Sequence, residues 1–438
     1  MSEAKTGDYV KIITLDEEFL GILMPRPDLL NKNVTVIKLD NGYNIGIDNK
    51  KIKNIELVKK YSPLKETKST IKPNPKLPTV SVLSTGGTIS SKLDYRTGGV
   101  YANYSAKDFF NLYPELKSIA NIKARKIMSV MSEDMSFKEW EFIAKEIAKE
   151  IKEGASGIVI TLGTDILHFS TAALSFLLKD LSVPVIFTAS QRSIDRGSSD
   201  AFLNLSCSIL AAAKFDCSEV MSCLHGSIND DYCLLIRGTK LRKMHTSRRD
   251  AFRPINDLPL AKVFDTGKIE IINPDHKKRT KSNKTTVIKK YEEKVAMITI
   301  YPGMDSGIIN YYVKQGYKGI VLCATALGHV PTENSSSNLL PGIKKAIEKN
   351  IPIIIASQTI YGRVHPYVYT NLRKLSIDLS CIFVEDMLPE TAYVKLAYAL
   401  GQTNDLKKVK QIMLENIAYE ISERIGEESF LYWIFSIY

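Results

Sequence analysis

Two short turns carry the residue types that could do chemistry. The first is Thr85-Gly86-Gly87-Thr88, directly after the apolar run VSVLS. Its two glycines let the backbone turn tightly and approach a ligand. A threonine there presents a hydroxyl, which becomes a nucleophile once something takes its proton. The second turn is Thr161-Leu162-Gly163-Thr164-Asp165, directly after the apolar run GIVI. In open parallel sheets ligands bind at the carboxyl ends of strands. Taken alone, the first turn reads as a plain strand–turn connection and Asp165 as the cap of the helix that follows. Two such turns on neighbouring strands of one sheet would converge on one pocket. The motifs of other chemistries are missing: GxxxxGK[ST], GxGxxG, HExxH and GxSxG do not occur. The six histidines do not cluster at ligand spacing and read as surface or packing residues.

The elements around these turns follow from periodicity. KIITL, GILMP, TVIKLD and YNIGI cluster or alternate β-branched residues, and Asn41-Gly42 is a hairpin dipeptide. Residues 1–60 therefore read as a small β-barrel. YSPLKETKSTIKPNPKLP, with Pro63, Pro73, Pro75 and Pro78, is an extended linker over 61–78. From Thr79 onward strands alternate with helices, the pattern of a parallel sheet covered on both faces. The best-defined helix starts at a capping box, Ser136 with Glu139. It places Phe137, Trp140, Ile143, Ile147 and Ile151 on one face and stops at Gly154. This α/β unit is assigned to 79–275 and a lysine-rich connector to 276–294. A smaller α/β unit with a helical tail, through VKQIMLENIAYEISERI, fills 295–438. The terminal FLYWIFSIY is apolar and should pack on the body or on a partner.

Composition narrows the class. A chain of 438 residues exceeds one ordinary core, and 44% hydrophobic with 24% charged residues is usual for a soluble globular protein. No apolar run approaches the roughly 20 residues of a membrane helix, and the start MSEAKTGDYV lacks a signal-peptide pattern. The six cysteines form no CxxC pair, which speaks against structural zinc. The net charge of +11 suits anionic partners such as nucleic acid, and equally suits a solvated surface.

At TGGTI, SEDM and GTD the sequence resembles the bacterial-type asparaginase/glutaminase family, over about residues 79 to 400. The resemblance implies a two-domain, parallel-sheet α/β core and hydrolysis of a side-chain amide through two threonine centres and an acyl-enzyme. Position by position, it implies Thr88 as nucleophile, and Thr164 and Asp165 as the second threonine and its acid. Counting back from Asp250-Ala251-Phe252, it implies Lys243 as the lysine of that second centre, with Lys240 left open beside it. Tyr95, in LDYRTGG, would sit on a loop that closes over the site. Ser132 and Glu133 would bind the α-carboxylate and α-ammonium groups of the substrate. Many members carry glutamine at Glu133. The plain alternative is that these residues only start the helix at Ser136. Gly87 and Gly163 would line the pocket, where backbone N–H donors stabilise an oxyanion by ~3 kcal/mol each. Ser190, in TASQR, would lie near the leaving amide. No metal is implied.

The flanks narrow the resemblance. A small β-barrel before the core, a proline-rich tether, and the segments SQTIYGRV and EDMLPETA resemble the glutamine-hydrolysing subunits of archaeal-type tRNA-dependent amidotransferases. That implies a cytoplasmic glutaminase without a cofactor of its own, a homodimer within a heterotetramer and not membrane-bound. Its ammonia would pass to an E-type partner subunit. The partner would use ATP and Mg²⁺ to convert Glu-tRNA(Gln) to Gln-tRNA(Gln). Gly197 departs from the pattern, standing where proline is expected. Two other readings remain: a free-standing L-asparaginase/glutaminase, and a basic RNA-docking module that has kept an amidase fold.

Overall fold

The computed structural model describes residues 4–25, 33–61, 74–87, 91–93, 100–102, 116, 118–194, 196–281, 284–333 and 336–430, with 91–93 and 100–102 described by backbone alone. Most of the linker and the last eight residues of the apolar tail lie outside them.

The N-terminal segment folds as a five-stranded antiparallel sheet: β1 (Tyr9–Thr14), β2 (Glu18–Leu23), β3 (Val34–Lys38), β4 (Asn44–Asp48) and β5 (Ile52–Lys59), in the order β4-β3-β2-β1-β5. Val10, Ile12, Ile37 and Ile47 form its small core. Asn41-Gly42 turns the chain between β3 and β4, with Gly42 at φ +86°. This turn also contacts the rest of the molecule. The Gly197 N–H donates to the Gly42 carbonyl at 3.2 Å, and the Tyr43 hydroxyl meets Ser198 Oγ at 2.7 Å. A Cβ on Gly197 would lie 2.8 Å from the Tyr43 ring. Glycine thus replaces the expected proline where an N–H is needed and no side chain fits.

The main sheet has eight strands. Five are parallel: β6 (Thr79–Ser84), β7 (Asn121–Lys126), β8 (Gly157–Thr161), β9 (Val185–Thr188) and β10 (Val220–His225). Three antiparallel strands extend it: β11 (Cys233–Arg237), β14 (Ala261–Val263) and β15 (Ile269–Ile271). The order is β15-β14-β11-β10-β9-β8-β6-β7. Between β11 and β14 a separate hairpin, β12 (Leu241–Lys243) and β13 (Phe252–Pro254), stands off the sheet. Helices α1 (Phe137–Lys152), α2 (Leu167–Leu177) and α3 (Ala201–Lys214) cover the faces. The capping box of α1 forms as expected, an arrangement whose N-cap alone contributes about 1 kcal/mol.

The C-terminal unit is a four-stranded parallel sheet: β16 (Val295–Thr299), β17 (Gly319–Ala324), β18 (Ile353–Ser357) and β19 (Ile382–Phe383). Helices α4 (Ile308–Lys314), α5 (Leu340–Glu348), α6 (Pro389–Gln402) and α7 (Leu406–Leu414) accompany it. One core cluster runs through both units, joining Leu174 and Leu177 of α2 to Val321, Ile354, Leu396 and Ala397. A buried ion pair, Lys240 with Asp386 at 2.6 Å, ties them further.

The expected helical tail ends early. After Leu414 the chain becomes an irregular strap, because buried Lys395 of α6 takes the carbonyls of Met413 and Glu415 and pairs with Glu420. Glu420 in turn accepts the N–H groups of Ile417 and Ala418, so helical bonds cannot continue. The lysine-rich connector is held as well: the Arg279 guanidinium donates to the carbonyls of Ala212 and Phe215 at the end of α3. Among the described residues no helix is long and apolar enough to cross a membrane, and all six cysteines are buried and unpaired.

Candidate functional site

β6 and β8 are direct neighbours in parallel register, Ser84 beside Thr161, so the two threonine-bearing turns leave the sheet side by side. Thr85 stitches their starts together: its N–H and its Oγ1 both donate to the Thr161 carbonyl, at 3.1 and 2.9 Å. Gly86 and Gly87 then take φ of +119° and +80°, where a side chain is strained. A Cβ on Gly87 would lie 2.6 Å from the Gly163 nitrogen. The backbones of the two turns therefore touch one residue before each threonine. Thr88 and Tyr95 lie outside the described residues.

Thr164 is half-buried and Asp165 exposed at the mouth of this turn. Lys243 reaches both from β12, with Nζ 2.9 Å from Thr164 Oγ1 and 2.9 Å from Asp165 Oδ1. Its side chain is 12% exposed and that of Asp165 60%, so the ammonium is enclosed on one side and open on the other. The hairpin fixes this reach, since Lys243 pairs with Phe252, which is buried in the shared core. Lys240, the open alternative, points away into the Asp386 pair. Burial pulls its ammonium below the usual lysine range although Asp386 opposes this.

Ser132 opens a short 3₁₀ turn, Ser132–Asp134, and is buried beneath the second threonine turn. Its Oγ accepts the Asp165 N–H at 3.3 Å, and a Cβ on Gly163 would strike it at 2.7 Å. Glu133 beside it is exposed, its Oε2 3.4 Å from Ser132 Oγ. Ser190 follows β9, the strand next to β8. Its buried Oγ has no hydrogen-bond partner among the described residues. The loop after it is closed by Asp200, whose carboxylate accepts the N–H groups of Gln191 and Arg192. The geometry thus gathers Gly87, Ser132, Gly163, Thr164, Asp165 and Lys243 directly, with Glu133 at the rim and Ser190 at the adjoining strand end.

Three charged or titratable neighbours escaped the reading of the sequence. His168 stands one turn after Thr164 on α2, and Arg242 precedes Lys243. Glu390, the second residue of α6, meets Arg242 at 3.1 Å. The available signal was only nearness in sequence, since Thr164 lies in the turn before α2 and His168 is its second residue. Nothing local pointed to Glu390. A groove of about 680 Å³ lined by Glu219, Arg237, Lys277, Lys278 and Tyr419 shares no residue with this cluster.

Comparison with known proteins agrees with the architecture. A model described as Asparaginase, N-terminal matches residues 79–277, and one described as Glutaminase/Asparaginase C-terminal domain matches 294–413. A model described as GatD N-terminal domain matches 4–58. The D-type subunit of the glutamyl-tRNA(Gln) amidotransferase of Pyrococcus furiosus is 47% identical over 98% of this chain and 97% of its own length. That of Methanothermobacter thermautotrophicus is 43% identical over 95% and 94%. Among solved structures, the thermostable L-asparaginase from Thermococcus kodakarensis superposes with a TM-score of 0.70 at 28% identity, covering 79% of this chain and all of the asparaginase. L-asparaginase I from Vibrio cholerae gives 0.68 at 26%, covering 79% and 99%.

Proposed function

This chain belongs to the family of D-type glutamyl-tRNA(Gln) amidotransferase subunits, and from that premise we propose that it hydrolyses glutamine at the Thr88–Thr164 turns to supply ammonia within its complex. The free-standing asparaginase reading gives way: the solved asparaginases are covered along almost their whole length by 79% of this chain, while residues 4–58 match the separate GatD N-terminal domain.

One observation carries the assignment of roles: a lysine Nζ held 2.9 Å from a threonine hydroxyl and 2.9 Å from a neighbouring carboxylate, at a turn in backbone contact with a second threonine turn. The Thr88 hydroxyl attacks the carboxamide carbon, and the resulting oxyanion is held by backbone N–H groups of the glycine turns. The C–N bond breaks, the nitrogen takes a proton and leaves as ammonia, and glutamate remains as an ester on Thr88. Water then attacks the ester, releasing glutamate and restoring the hydroxyl. Lys243, neutral when it accepts, relays protons through Thr164. Asp165 keeps the lysine oriented. Ser132 and Glu133 bind the α-carboxylate and α-ammonium groups, Ser190 lies toward the leaving amide, and Tyr95 belongs to the closing loop.

The ammonia is used in a partner subunit of E type, where ATP and Mg²⁺ serve the activation of Glu-tRNA(Gln). This chain forms a homodimer inside a heterotetramer, in the cytoplasm. The test is ammonia release from glutamine with and without the partner and Glu-tRNA(Gln). Release stimulated by both, and much weaker turnover of asparagine, supports the reading. Equal high turnover of the isolated chain on either amino acid would overturn it.

A further inference from the structure

Two sides of the site sit on elements that one sheet does not hold together. Ser190 follows β9, while Lys243 rides on the β12–β13 hairpin, which stands off the sheet. Between them ends β10, paired with β9 on one side and with β11 on the other. Its last residue is His225, 1% exposed. The reaction above does not use this imidazole. One ring nitrogen faces the Ser190 loop: Nδ1 meets Asn204 Oδ1 at 2.6 Å. The Asn204 amide nitrogen donates the other way, to the Ala189 carbonyl at 2.9 Å and to Asp200 Oδ2 at 3.3 Å. Ala189 precedes Ser190, and Asp200 accepts the N–H groups of the two residues after it. The backbone on both flanks of Ser190 is thus held by a buried cluster that ends on His225.

The other ring nitrogen faces the hairpin. Nε2 meets Asp230 Oδ1 at 3.0 Å in the loop after β10, and the same oxygen accepts Arg249 Nη1 at 2.8 Å. Arg249 also donates to the Ile228 carbonyl. Arg249 lies in the turn of the hairpin, which closes one residue beyond Lys243, where the Met244 N–H donates to the Ala251 carbonyl at 2.7 Å. Burial acts to raise the Asp230 carboxyl, but the bonds from His225 and Arg249 outweigh it and hold the group below its usual range. The base of the hairpin is tied independently of the imidazole. Arg253 donates to the Gly226 carbonyl at 2.8 Å, and Lys240 is locked by Asp386. What His225 adds is a fixed direction for the turn.

We infer that His225 is a positioning residue: through Asn204 on one side and Asp230–Arg249 on the other, it couples the Ser190 loop to the turn of the Lys243 hairpin and fixes the spacing of the two. The inference rests on the reading of Lys243 and Ser190 as parts of one glutaminase site. Residues in one hydrogen-bonded chain act as a unit, so changes along it do not add. Ser132 and Glu133, which bind the α-carboxylate and α-ammonium groups in that reading, take no part in this chain of bonds. Loosening it therefore slows turnover and leaves substrate binding nearly as it was.

The test is kcat and KM for ammonia release from glutamine, measured on the full chain with its partner subunit and Glu-tRNA(Gln). His225→Leu breaks both bonds of the ring. It lowers kcat by about 10- to 100-fold, the scale of a sub-ångström to 1 Å misplacement, and changes KM by less than about threefold. Arg249→Gln cuts the same chain at its far end and also lowers kcat. Added to His225→Leu, it costs less than about a further twofold. His225→Gln can place an amide nitrogen where Nε2 meets Asp230, and it recovers part of the lost kcat. Wild-type kcat in His225→Leu, a loss confined to KM, or losses that multiply in the double variant would overturn the inference. Lys243→Met separates the two claims. If activity survives it, the reading of the lysine fails. If activity is lost while His225→Leu turns over like wild type, only the role of His225 fails. Should His225→Leu not fold, as thermal melting would report, Asp230→Ala and Arg249→Gln decide alone, since their side chains are 60% and 19% exposed. Each then lowers kcat and the pair loses no more than the worse single variant, whereas wild-type kcat in both overturns the inference.

Discussion

Gly87 and Gly163 stand backbone to backbone, with an ideal Cβ on the first only 2.6 Å from the nitrogen of the second. This contact fixes the separation of the two threonine turns, and it exists because β6 and β8 run parallel in adjacent register. Gly87→Ala must therefore push the turns apart and also strain a φ of +80°. Such strain costs of order 1–3 kcal/mol, and a displacement near 1 Å costs about 100-fold in rate. The expected result is a protein that folds, melts a few degrees lower and releases ammonia at least about 100-fold more slowly. Wild-type turnover by Gly87→Ala would show that the spacing of the turns is not what the reaction needs.

Lys243 and Lys240 lie three residues apart and should behave oppositely when changed to methionine. Lys243 is at the mouth of the site, 12% exposed, and its loss removes proton transfer, which typically contributes about 1,000-fold. Folding stability should hardly move. Lys240 is in a buried pair with Asp386, 1% and 0% exposed. Removing one member leaves the other charge stranded and costs about 3–5 kcal/mol. Denaturant titration and ammonia release, run on both variants, check the contrast. A strongly destabilised Lys243→Met with normal specific activity would reverse the assignment.

The features that could be read from the chain are those written in short range. The capping box at Ser136, the buried strands, the Asn41-Gly42 turn and the two threonine turns each depend on residues within a few positions. Lys243 needed the resemblance, because nothing local distinguishes it from other lysines until the hairpin aims it at Thr164. Glu390 stands inside EDMLPETA, a segment the resemblance marks, but its contact with Arg242 could not be read there, because it joins α6 to the β12 hairpin across two units. The strap after Leu414 misled for a similar reason. Its sequence suits a helix, but Lys395, whose burial is set by the tertiary core, takes the carbonyls that helical bonds would use. Gly197 looked like a departure until the Tyr43 ring was found resting on it.

Gly197→Pro should loosen the N-terminal sheet from the core. Proline removes the N–H that donates to Gly42 and puts atoms where the Tyr43 ring lies 2.8 Å from the glycine's ideal Cβ. The Ser190 loop is closed independently by Asp200, so glutaminase chemistry should suffer less than tenfold while the sheet detaches. Limited proteolysis is the readout: residues 4–59 should be cut away from the remainder much faster in the variant. Unchanged cleavage kinetics would mean the turn contact contributes nothing to holding the sheet.

His168 gives a signed prediction for stability against pH. Burial first, then the charges of Arg242 and Lys243, lower its pKa from 6.5 to about 4 in the folded protein. Between those two values the unfolded chain binds a proton that the folded protein refuses, so stability rises with pH across the window. The contribution is fully present above about 6.5 and is lost as pH falls towards 4, amounting to about 3 kcal/mol across the whole interval. His168→Gln removes the titration and keeps a polar side chain. Its stability curve should be flatter than wild type between pH 4 and 6.5 and run parallel above, whatever its absolute level. Chemical denaturation at half-unit steps of pH measures both slopes. Parallel curves throughout the window would mean that the imidazole takes up its proton in the folded protein as readily as in water, which the buried ring beside two cations forbids.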